Sequence, residues 1–99
     1  MVKLLMTWDI RTGHESTYLD YITSEFAPAL IRLGLEPTEA WYTVYGQGPQ
    51  ILAGSVTDNI DMMRKILSDP EWEQLQEQLL QHVENFNYKV VPATGRFQL

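Results

Sequence analysis

The chain has no cysteine among its 99 residues. Disulfides, thiolate nucleophiles and cysteine-bound zinc or iron–sulfur centres are therefore excluded. Basic residues are scarce: seven Lys and Arg face thirteen Asp and Glu, for a formal net charge of -6. Such a field repels nucleic acid and anionic membranes, and no basic cluster overturns it, so neither is expected as a partner. Long hydrophobic runs are missing too. The apolar start Met1-Val2-Lys3-Leu4-Leu5-Met6 meets Thr7 and then Asp9, too soon for a signal segment or a membrane span. It reads as a strand in a cytoplasmic protein. Histidine occurs only at His14 and His82, with no His-x-x-x-His or Glu-x-x-His spacing, so no metal is expected.

What is present is 44% hydrophobic residues, including three Trp, five Tyr and three Phe. That suits one globular domain spanning 1–99. Val2 to Asp9 is β-rich and ends before Thr12-Gly13. Thr12 and Glu15 have the spacing of a capping box for a first helix. Tyr18, Ile22, Phe26, Ala29, Leu30 and Leu33 then form one apolar stripe ending at Gly34, a natural C-terminal residue. Pro28 lacks the amide for the carbonyl of Ser24, which predicts a kink near Glu25 to Ala27.

Ala40 to Tyr45 and Gln50 to Thr57 read as strands joined by Gly46-Gln47-Gly48-Pro49. That glycine-rich stretch is no phosphate loop, because it joins strands and Pro49 removes an amide. Asp58-Asn59-Ile60-Asp61 opens a second helix with the stripe Ile60, Met63 and Leu67. Ser68-Asp69-Pro70 interrupts it, and Pro70 suits the first position of a new segment. Trp72, Leu75, Leu79 and Val83 continue the stripe, placing His82 at the helix end. Phe86 to Val91 is the last strand, and Pro92 and Gly95 interrupt the tail before Phe97 and Leu99.

The fold class is thus α+β: a ferredoxin-like βαββαβ order with a four-stranded antiparallel sheet and two interrupted helices on one face. A sheet covered on one face should alternate apolar and polar residues. Here Leu5 opposes Leu4 and Met6, Trp41 and Tyr45 oppose Tyr42 and Val44, Leu52 and Val56 oppose Ile51 and Ala53, and Val91 opposes Val90. Burying the second apolar face calls for a partner, and a homodimer packed sheet to sheet is the economical solution.

The element order, Glu25-Phe26-Ala27-Pro28-Ala29-Leu30 and Ser68-Asp69-Pro70-Glu71-Trp72 together resemble the dimeric α+β barrel superfamily, closest in look to its NIPSNAP-like and small uncharacterised members. The resemblance covers nearly the whole chain. It implies the barrel-forming homodimer and a ligand pocket between sheet and helices. It leaves activity open, because members include cofactor-independent monooxygenases, haem-degrading enzymes, lactone isomerases and proteins without known activity. Counted from Ser68-Asp69, the Trp and axial His of the haem-degrading members fall on Lys65 and near Leu75. The first strand also lacks their Asn. The ten-residue spacing of Trp72 and His82 is therefore no match, and no cofactor is expected.

Candidate chemistry is thin. His14, near a helix start where the dipole disfavours a cation, could serve as a base beside Asp9 and Glu15. Glu39, like Asp9, is a carboxylate near apolar strand residues where burial could raise its pKa. His14, Asp9 and Glu39 are the catalytic candidates. Trp8, Trp41, Tyr18 and Trp72 are the candidate walls of a pocket for a small apolar or aromatic molecule, and Tyr42, Tyr45 and Tyr88 suit either core or interface. Three functions stay open: a binding protein, a cofactor-independent monooxygenase or isomerase, and a structural or regulatory dimer.

Overall fold

The computed structural model describes residues 1–93. Its strands are β1 (Val2–Ile10), β2 (Glu36–Tyr42), β3 (Ile51–Thr57) and β4 (Val83–Pro92). They form one antiparallel sheet in the order β2-β3-β1-β4. The first helical layer is α1 (Glu15–Tyr21), a π-helical segment (Ile22–Phe26) and α2 (Ala27–Leu33); the second is α3 (Ile60–Leu67) and α4 (Pro70–Leu79). The βαββαβ order and both helix interruptions are as expected.

Each interruption has a local cause. Pro28 cannot donate, and the turn before it widens so that the Ala27 amide bonds the carbonyl of Ile22. The kink is therefore a π-bulge. Between α3 and α4, Asp69 caps the new helix by accepting from the Glu71 amide at 2.8 Å, with Pro70 in its first turn. Asn59 caps α3 in the same way, accepting from Met62 at 2.8 Å. Gly34 ends α2 at φ 106°, which lets Leu35 N–H reach back to Leu30.

Three elements have boundaries that differ from the sequence reading. The Thr12–Glu15 capping box does not form. Gly13 at φ 86° closes a tight turn from Arg11 to His14, so the helix starts after His14, which has no side-chain cap. Strand β2 runs Glu36–Tyr42 and not Ala40 to Tyr45, leaving Val44 and Tyr45 fully out in a connecting loop. Strand β4 begins at Val83, earlier than Phe86, so Val83 is buried as a strand residue. His82 consequently sits in the turn after α4, donating its amide to Leu79. In α3 the buried residues are Met63 and Ile66, while Ile60 is exposed. Phe97 and Leu99 lie outside the described residues.

One sheet face carries the core. Leu4, Met6 and Trp8 of β1 are almost completely buried against Tyr18, Tyr21, Phe26, Leu30, Met63, Trp72 and Leu79. Strand alternation puts Lys3, Leu5 and Thr7 on the opposite face, together with Leu52, Gly54 and Trp41 from the paired positions of β3 and β2. Two bulges adjust the registers. Thr38 is extra on β2, between Pro37 and Glu39. On β4 an extra residue falls between Asn87 and Glu84, and Asn85 there takes φ 57°.

Candidate functional site

Between the sheet and the first helical layer lies a gap of about 150 Å³. Its walls are Trp8 from β1, Tyr18 from α1, Ile22 and Phe26 from the π-helical segment, and Leu30 from α2. Its floor is made of small side chains, chiefly Ala53 and Ser55 of β3 and Pro37 and Ala40 of β2. Pro37 and Ala40 are exposed, so the gap opens toward the β2 edge of the sheet.

The aromatic wall is ordered by mutual contacts. Trp8 meets Tyr18 edge-on with ring centroids 6.4 Å apart, and Phe26 likewise at 6.2 Å. The Trp8 indole Nε1 donates to the Tyr18 hydroxyl at 3.0 Å. Burial pushes the Tyr18 phenol up from its ordinary pKa, against a smaller opposing effect of that hydrogen bond. The group therefore stays neutral.

The sequence candidates divide between several places. Trp8 and Tyr18 come together on the gap. Trp72 is buried beneath α4, edge-on to Tyr88 at 5.8 Å. Trp41 is 65% exposed on the open sheet face. Glu39 reaches the rim of the gap, but its carboxylate lies over Gly54 on the open face and pairs with the buried Lys3 at 2.6 Å.

Asp9 fastens the sheet at the ends of β1, β3 and β4. It accepts from the Gln50 amide at 2.8 Å and from Asn85 Nδ2 at 2.9 Å. The Asn85 bond first, then that from Gln50, holds its pKa below the usual value. His14 is elsewhere again. It lies with its ring centroid 6.0 Å from that of His82, a pairing across the two helical layers that spacing in the sequence hid. His82 also stacks against Tyr21 at 5.5 Å, and its Nδ1 is 3.4 Å from Thr17 Oγ1. Among the described residues no three His, Asp or Glu side chains gather as a metal site.

Ile22, Phe26, Ala40, Ala53 and Ser55 were not named as site residues from the sequence. The signal available was size: Ala53 and Ser55 are small residues on one face of β3, and Ala40 pairs with Ala53.

No protein-family model matches the sequence, and no curated protein matches it. Solved structures do match. An uncharacterised NIPSNAP domain protein of Burkholderia xenovorans aligns with 99% of this chain and 100% of its own, at TM-score 0.66 and 16% identity. A protein of Arabidopsis thaliana has the same coverages, at TM-score 0.79 and 11% identity. A candidate antibiotic biosynthesis monooxygenase of Deinococcus radiodurans covers 100% and 98%, at TM-score 0.67 and 19% identity. Likeness at these identities concerns architecture, and on that ground the chain has the ferredoxin-like α+β fold of the NIPSNAP-like and monooxygenase-like proteins.

Proposed function

We propose that the protein binds a ring-sized apolar or aromatic molecule in the gap between the sheet and its first helical layer. One observation carries this reading: an aromatic-walled space of about 150 Å³ with a floor of small side chains. An apolar cavity of that size is large enough for a benzene ring and gains by filling. Binding is favoured over catalysis because the titratable candidates do not converge there. Glu39 is engaged with Lys3, Asp9 with Gln50 and Asn85, and His14 lies beside His82. Titration with toluene and indole, followed by amide NMR, tests the reading. Shifts at Trp8, Tyr18 and Ala53 support it, whereas saturating ligand without shifts at these residues contradicts it.

The open sheet face supports a homodimer as the working form. Leu5, Leu52 and Trp41 share it with Thr7, and Trp41 is largely exposed in the single chain. A second copy laid sheet to sheet covers these residues with one symmetric interface. Light scattering is expected to return twice the monomer mass at micromolar concentration. A monomer there, unchanged by Trp41→Ala, refutes the dimer without touching the gap.

A further inference from the structure

We propose that Tyr18 selects the ligand by donating its hydroxyl proton to a carbonyl-type oxygen carried on the ring-sized apolar molecule. This deepens the binding reading above and rests on it. The direction of one hydrogen bond leaves the Tyr18 hydroxyl as a donor. The indole Nε1 of Trp8 can only donate, so in the 3.0 Å contact the Tyr18 oxygen is the acceptor. The hydroxyl proton is then left to donate elsewhere, and Trp8 is the hydrogen-bond partner of this hydroxyl among the described residues. Tyr18 is nevertheless 7% exposed, with its ring on the wall of the gap. A ligand oxygen seated in the gap can take this donation in place of water.

The rest of the lining sharpens the ligand class. Trp8, Ile22, Phe26, Leu30 and Ala53 offer apolar surface. Ser55 supplies the other lining hydroxyl, and the Glu39 carboxylate is held by Lys3 on the far face. No free cation faces the gap among its lining residues, so a carboxylate or phosphate ligand would be buried without a counter-charge. A neutral acceptor carries no such penalty. Burial keeps the phenol protonated, which suits a donor and not a base. The Trp8 bond into the phenol oxygen polarises the O–H group and strengthens its donation. The ligand class is therefore a neutral ring compound with one exposed oxygen acceptor: a ketone, aldehyde, ester, lactone or quinone.

The test compares acetophenone with α-methylstyrene, which has the same shape with a methylene in place of the oxygen. Both are titrated by calorimetry into wild type, Tyr18→Phe and Glu73→Gln. The preference for the ketone over the alkene is expected to fall about five- to tenfold in Tyr18→Phe, the size of one hydrogen bond. It stays at the wild-type value in Glu73→Gln, an exposed α4 position away from the gap. Retained alkene binding in Tyr18→Phe shows that the gap remains formed. The carbonyl stretch of acetophenone, measured on wild type and Glu73→Gln, needs no Tyr18 variant. It is expected at lower frequency in both proteins than in hexane. An unshifted stretch, or a ketone preference that survives Tyr18→Phe, overturns the donor role while leaving the pocket. Failure of both probes to bind wild type overturns the binding reading itself.

Discussion

The two halves of the helix–sheet layer are built from similar amphipathic helices, yet one packs large side chains together and the other faces small ones across a gap. Beneath α4, Trp72, Leu75 and Leu79 join Met63 and Val83 in the buried core, and Trp72 meets the Tyr88 ring edge-on. Beneath α1 and α2, Tyr18, Phe26 and Leu30 are just as apolar, but the strands answer them with Ala53, Ser55, Ala40 and Pro37. Helix stripes alone therefore do not decide where a fold is hollow. The side-chain size on the facing strands decides it.

The largest effect should come from the half beneath α4. Trp72→Ala is expected to lower the unfolding free energy by about 3–5 kcal/mol in urea titration, because a large buried ring has no replacement. A loss below about 1 kcal/mol would remove the contrast between the halves. In the hollow half, Ala53→Leu should abolish acetophenone binding and change stability by less than about 1.5 kcal/mol, since the added carbons enter existing space. Loss of several kcal/mol would mean that the floor is already packed.

A third substitution separates the gap from the open face of the same strand. A Cβ at Gly54 meets the Glu39 side chain, so Gly54→Ala displaces that carboxylate from Lys3. The expected cost is about 1–2 kcal/mol, discounted because Glu39 is about one-third exposed. Acetophenone affinity should stay within twofold, and a larger drop would place Glu39 in the ligand site. The smallest effect concerns Asp9, whose folded pKa is depressed by Asn85 and then Gln50. Its contribution is present above the unfolded carboxylate value near pH 4 and is lost as pH falls through the lowered folded value. Asp9→Asn should therefore flatten the acid limb of the stability profile below about pH 4. An unchanged limb would show that its hydrogen bonds contribute nothing to folding.

Much of the architecture was legible because periodicity records it. The stripe from Tyr18 to Leu30, the alternation Leu4, Met6 and Trp8, and the break at Pro70 each state a structure within a few residues. Asp69 and Asn59 mark helix starts by chemistry that needs only neighbours. The site was half legible. Trp8 and Tyr18 were named, while the floor was missed because an alanine announces nothing until its partner strand is known. Trp41 and Trp72 have the same chemistry as Trp8 but fall on different surfaces, and only register assigns those surfaces. The Thr12–Glu15 pattern misled because the positive φ of Gly13 delays the helix by enough to leave Thr12 behind. The approach of His14 to His82 follows from packing of the two helical layers, which neither residue's neighbours encode.

The central claim is that the hollow half holds a ring, and diffraction from crystals soaked in bromobenzene tests it most directly. Bromine has an anomalous signal, so its position does not depend on modelling the ring. A bromine peak is expected between Trp8, Tyr18, Phe26 and Ala53, and none there in Ala53→Leu crystals. A peak confined to the open sheet face beside Trp41, or no peak within the gap at saturating ligand, would contradict it.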